Sequence, residues 1–128
     1  MEYAVVYDMV GQYVVPTITK WAGDGTNDQL YKTFEGAVDV IALRLATDEK
    51  IGYDAWVRDD ALATGIASAY RVEFGQEYFG MALLPQVGTG LVVLGTDDVG
   101  HTSGLTAEQA QEVKDNLVVE KWLVINHG

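Results

Sequence analysis

Residues 78–96 read YFGMALLPQVGTGLVVLGT, the longest stretch of the chain without a charge. Two structures compete for such a run, a membrane span and a set of buried strands. A spanning helix needs about 20 continuous apolar residues. Pro85 together with Gly80, Gly88, Gly90 and Gly95 interrupts this stretch repeatedly. It is therefore expected as two strands, Tyr78 to Gln86 and Leu91 to Thr96, joined as a hairpin by the turn Gly88-Thr89-Gly90. Lack of charge implies central strands covered on both faces. The glycine turn is no phosphate cradle, because no Lys follows it and a strand rather than a helix comes next.

Upstream of this run, Tyr3, Val5 and Tyr7 alternate with Ala4 and Val6, the period of a strand. Gly11 punctuates it, and Tyr13 to Trp21 reads as a second strand that completes a hairpin. Pro16 has no amide hydrogen, which assigns that strand to an edge or a bulge. Ala22 to Gln29 is a polar loop. Thr33 is placed to cap a helix carrying Phe34, Val38, Ile41 and Leu45 at helical spacing. Residues 54–58 fit either a strand or a helix start, and a second helix is expected from Asp59 with the stripe Leu62, Ile66, Tyr70. Its small residues Ala61, Gly65 and Ala69 would let a neighbour approach closely.

Downstream, the strand ends at Thr96, and Asp97 and Asp98 open a loop that runs through Gly104. Thr106 and Gln109 form a capping-box pair for a helix whose apolar stripe is Ala110, Val113 and Leu117. Val118 to Ile125 closes the chain as a strand containing Trp122. The expected order is β-β-α-α-β-β-α-β. That is an α+β fold, a single compact domain over 1–128, with one mixed or antiparallel sheet of about five strands and helices on one face.

Charge narrows the function. The chain has 19 acidic against 8 basic residues and a net charge of −11, with 48% hydrophobic residues. A chain of that composition folds, so the acidity is neither a disordered tail nor a halophile coating. It falls in two bands: residues 24–60 carry nine acids and four bases, and residues 97–128 carry six acids and two bases. The segment between them carries only Arg71, Glu73 and Glu77. Such a potential repels nucleic acid and anionic membranes and attracts basic surfaces. The N-terminal residues lack a basic region and meet Asp8 early, unlike a signal peptide, and a soluble cytoplasmic protein is expected. The chain has no cysteine, so disulfides, thiol catalysis and Cys-type zinc sites are excluded.

Few residues carry a reaction. Asp24, Thr26, Asp28 and Glu35 resemble the oxygen spacing of a calcium loop, but Gln29 stands where the sharp turn needs glycine. Asp97, Asp98 and His101 share a loop and could hold a metal or pass a proton. The only other histidine is His127, and Ser103 lacks the setting of a nucleophile elbow, so a turn capping the next helix explains the loop better. Asp59 and Asp60 suit a helix N-terminus. Trp21 and Trp56 lie beside polar segments as possible exposed anchors, although core packing accounts for the aromatics in general. No metal site and no cofactor is assigned.

The reading that follows is a non-enzymatic acidic interaction protein without catalytic residues. Its class is that of small inhibitors, of phage anti-defence or immunity type, that bind a basic, nucleic-acid-processing partner and sometimes imitate DNA charge. It makes no direct contact with nucleic acid or membrane. The expected partner-binding residues are Glu35, Asp39, Asp59, Asp60, Glu108, Glu112, Asp115 and Trp56. The alternatives are a small metal-dependent enzyme or binding domain centred on the Asp97–His101 loop, and a viral assembly component joined through the uncharged hairpin or an edge strand.

Overall fold

The computed structural model describes residues 2–10, 13–21, 38–44, 52–58, 66–75, 77–85, 87–96 and 102–126. These form mostly strands with one helix: β1 Tyr3–Val10, β2 Tyr13–Lys20, β3 Val38–Arg44, β4 Gly52–Arg58, β5 Ile66–Phe74, β6 Glu77–Pro85, β7 Val87–Thr96, β8 Thr102–Ser103, α1 Ala107–Asn116 and β9 Leu117–Asn126. All pairings are antiparallel and fall into two sheets, not one. The larger runs β2-β1-β7-β4-β3, with β8 beside β7, and the smaller runs β6-β5-β9.

The uncharged run holds the larger sheet together. β7 pairs with β1 on one side and β4 on the other, so it joins the pair β1–β2 to the pair β3–β4. Leu91, Val92, Val93 and Leu94 are all fully buried, which requires cover on both faces and explains why no charge is tolerated there. Burial of each such side chain contributes about 1.5–3 kcal/mol. The expected hairpin between 78–86 and 91–96 does not form. Among the described residues β6 pairs with β5 alone, at the edge of the smaller sheet, while β7 lies in the larger. The chain changes sheets between them. Gly88-Thr89-Gly90 is accordingly not the turn of a hairpin but part of β7 itself.

Those glycines do a different job. The register slips at Tyr7 and Asp8, which face Leu91 and Thr89, leaving Gly90 as the extra residue of a bulge. A Cβ at Gly90 would come 2.6 Å from Sδ of the buried Met9. Gly88 has φ of 97°, in the region that favours glycine. The bulge restores alternation, so Leu91 and Val93 face the main core while Thr89 donates through Oγ1 to Asp8 Oδ1 at 3.4 Å.

Two expected helices are corrected. Val38–Arg44 is a strand paired along its length with β4, and Ile66–Phe74 is a strand paired with both β6 and β9. An apolar run satisfies both periods when hydrophobic residues lie on every side, and β-branched Val38, Val40 and Ile41 suit a pleated sheet. Thr33, Phe34, Leu45, Asp59, Asp60, Ala61, Leu62 and Gly65 lie outside the described residues. The ambiguous segment 54–58 is strand β4.

Local signals are met at both ends. β1 and β2 pair from Tyr3–Lys20 to Val10–Tyr13, and β2, carrying Pro16, is an edge. Thr106 caps α1 with a complete capping box: Gln109 N donates to Thr106 Oγ1 at 3.1 Å, and Thr106 N donates to Gln109 Oε1 at 2.9 Å. The chain then enters β9 directly at Leu117.

The main core lies between the sheets and under α1. It joins Val5, Tyr7 and Met9 of β1, Tyr53, Ala55 and Val57 of β4, and Leu91 and Val93 of β7 to Tyr70, Val72 and Phe74 of β5. Leu105, Ala110, Val113 and Leu117 close it. Tyr53 and Phe74 stack across the two sheets with ring centroids 5.7 Å apart. A second cluster of Ala4, Trp21, Val92 and Leu94, with Val6 and Trp56 against it, occupies the opposite face of the larger sheet.

Gly90 is the position where one added carbon should be felt. Gly90→Ala is expected to lower stability by ~1–3 kcal/mol by overpacking against Met9. Denaturant unfolding of Gly90→Ala, Met9→Val and the double variant checks the cause. The two changes should be less than additive if the Met9 side chain is what the new methyl group meets.

Candidate functional site

α1 owes its position to what it buries. Ala110 and Val113 are fully buried, and the rest of the helix surface between residues 107 and 116 is exposed apart from the half-buried Gln109. Glu108, Glu112 and Asp115 follow at steps of four and three, which puts them on one stripe facing away from the core. All three are exposed. Glu108 sits in the first turn and Lys114 in the last, each favourable to the helix dipole. Gln111 Nε2 donates to Asp115 Oδ1 at 2.9 Å, and Asn116 Nδ2 donates to the Glu112 carbonyl at 2.8 Å.

Two phenols of the larger sheet reach this helix from below. The Tyr7 hydroxyl donates to the Val113 carbonyl at 3.4 Å, and the Tyr53 hydroxyl donates to Glu112 Oε2 at 3.4 Å. Burial pushes the Tyr7 phenol well above its ordinary range. Burial also raises Tyr53, and the Glu112 charge and hydrogen bond add to it, pushing it up to about 12. A carboxylate of the acidic stripe is thus tied to a core tyrosine.

Of the remaining expected site residues, the two described ones, Asp39 and Trp56, do not join this stripe. Asp39 lies in β3, the edge strand opposite β2, paired with Val57. Trp56 is half-buried on the face of the larger sheet away from α1, since its neighbours Ala55 and Val57 belong to the main core. Trp21 is buried in the same outer cluster and is not an exposed anchor. The indole N–H groups of both are buried without a hydrogen-bond partner. Glu35, Asp59 and Asp60 lie outside the described residues, as do Asp24, Asp28, Asp97, Asp98 and His101. Among the described residues, no three His, Cys, Asp or Glu side chains come together to hold a metal. No helix among them is long and apolar enough to cross a membrane.

Residues that sequence reasoning passed over are Tyr7 and Tyr53, which hold the helix, and Tyr13, the most exposed of the large hydrophobic side chains among the described residues. Pro16 was the available signal for the last, since an edge strand shows one face to solvent. No family model matches the chain, and neither the curated proteins nor the solved structures include a match.

The raised phenols set an alkaline limit. The ordinary tyrosine value is 10.0, and the folded protein holds the Tyr53 proton up to about 12. The unfolded chain releases it earlier, so this contribution to stability is complete below the ordinary value and is lost as pH rises through the folded one. Denaturant midpoints measured across that interval should fall, and fall less in Tyr53→Phe. Glu112→Gln should bring the late step of the phenolate absorbance titration to lower pH.

Proposed function

We propose that this is a non-enzymatic interaction protein that engages a basic surface through the exposed carboxylates of α1. The class it fits is a small cytoplasmic inhibitor, of phage anti-defence or immunity type, whose target is a basic protein that processes nucleic acid. The observation that carries the reading is the stripe of Glu108, Glu112 and Asp115 on a helix fixed from below by Tyr7 and Tyr53. A charge array on a rigid element meets its partner without further ordering, which lowers the cost of binding. A net charge of −11 adds long-range attraction, so association is steered and depends on salt. Glu35, Asp39, Asp59 and Asp60 are proposed as further contacts from the first acidic band. Trp56 is proposed as a separate contact, because it lies on the other face of the larger sheet.

Affinity capture from a host lysate at low and high salt, followed by binding measurements with each purified partner, tests the reading. A basic nucleic-acid-binding protein should be retained at low salt and released at high salt. Replacing three rim carboxylates at ~0.2–1 kcal/mol each predicts that Glu108→Gln, Glu112→Gln and Asp115→Asn together weaken binding about threefold to a hundredfold. Retention of no basic protein, or equal binding by the triple variant, would sink the proposal.

A further inference from the structure

Among the described residues β2 is an edge strand, whose exposed face is apolar at Tyr13 and Val15 and polar at Thr17 and Thr19. It pairs with β1 alone among the described residues. Tyr13 is 72% exposed and Val15 43%, and Val10, paired with Tyr13 across the hairpin, is 56% exposed. These are three of the four exposed large hydrophobic side chains among the described residues, the fourth being Val118. No charge occurs from Met9 to Thr19 in a chain of net charge −11. A patch of this kind on a sheet edge is a template for another strand.

The register says which main-chain groups are available. The pairing of β1 with β2 runs without a bulge from Tyr3–Lys20 to Val10–Tyr13, and Trp21 N donates to Glu2 O at 2.9 Å just beyond it. Antiparallel pairs alternate between hydrogen-bonded and non-hydrogen-bonded. Trp21, Thr19, Thr17, Val15 and Tyr13 therefore turn their main-chain groups toward β1. Val14, Pro16, Ile18 and Lys20 turn theirs outward. Pro16 has no donor to offer, and Lys20 puts a charge at the far end, so both guard the half of the edge beyond Val15. The unguarded half is centred on Val14.

We propose that β2 joins two copies of this chain edge to edge, antiparallel across a two-fold axis at Val14, extending the larger sheet through both. In that register the two Val14 residues exchange N–H and C=O reciprocally. Tyr13 lies directly opposite Val15 of the second copy, and Val15 opposite Tyr13 of the second copy, so the exposed apolar pair covers itself. An axis at Pro16 would instead face two carbonyls with no donor between them, and an axis at Ile18 would pair threonines and leave Tyr13 exposed. The contact is isologous, as a two-fold interface must be, and Tyr13, Val14 and Val15 carry no charge themselves, with Asp8 of β1 facing Val15 across the hairpin. It is independent of the acidic stripe on α1.

Sedimentation equilibrium from dilute to near-millimolar protein tests this, at low and high salt. A monomer–dimer equilibrium is expected, tightening with salt because two chains of net charge −11 repel through solvent. Val15→Lys should weaken dimerisation at least about tenfold with the melting temperature unchanged, whereas Thr19→Lys should leave it intact. The chain has no cysteine, so register is read directly by mixing single variants and oxidising. Tyr13→Cys with Val15→Cys should cross-link fast, as opposite residues in a non-hydrogen-bonded pair lie within disulfide reach. Val15→Cys with Thr17→Cys should cross-link slowly. A monomer at every concentration, equal dimerisation by Val15→Lys, or the reverse order of cross-linking overturns the proposal.

Discussion

One strand carries the larger sheet. β7 is the shared partner of β1 and β4, and through them of both outer strands. A strand paired on both edges and covered on both faces has nowhere to put a charge, since an ionised side chain buried without a partner costs several kcal/mol. The uncharged sequence of residues 87–96 is the direct consequence. The same constraint explains the two clusters: Leu91 and Val93 belong to the main core, Val92 and Leu94 to the outer one. The bulge at Gly90 lets the strand keep this alternation while it fits beside Met9.

The helix depends on that sheet. α1 buries only Ala110 and Val113 along its length, a narrow apolar footing. Its capping box supplies about 1 kcal/mol. The Tyr7 and Tyr53 hydroxyls add a contact each from strands on either side of β7, and the flanking Leu105 and Leu117 are buried in the same core. Burying two phenols beneath a helix is tolerable because each finds an acceptor there, one a carbonyl and one a carboxylate. The outcome couples the acidic surface to the core. Glu112 answers both to solvent and to Tyr53, so its position is set by the sheet and not by the helix alone.

How much of this was legible depended on whether the deciding signal was local. The β1–β2 hairpin, the edge position implied by Pro16, the capping box at Thr106 and the final strand rest on residues within a few positions of one another. Each is found in place. The middle of the chain is not legible locally because the spacing of Val38 and Ile41, or of Ile66 and Tyr70, fits a helix as well as a strand buried among neighbours. What decides is pairing with β4, β6 and β9, remote partners that no short window contains. The division of the uncharged run between two sheets was hidden for the same reason. In the candidate site, the stripe of three carboxylates followed from helical spacing. The phenols beneath it did not, because Tyr7 and Tyr53 meet the helix only through the tertiary fold.

Among the described residues, the carboxylate stripe of α1 and the exposed apolar side chains of the β1–β2 hairpin lie on separate elements. Carboxylates on α1 share a solvated helix surface, where water screens their mutual repulsion and the helix N-terminus favours Glu108. The hairpin from Met9 to Thr19 has no charge and exposes Tyr13, Val15 and Val10. A uniformly acidic surface would repel a second copy from every direction. Tyr13 to Val15 of β2 offer an approach that carries no charge of its own and has apolar area available, beside Asp8 of β1. In the proposed reading, attraction to a basic partner and contact between like chains make opposite demands on charge, and they are assigned to separate elements, α1 and β2. The helix is held over the sheet, and the edge strand lies at its margin.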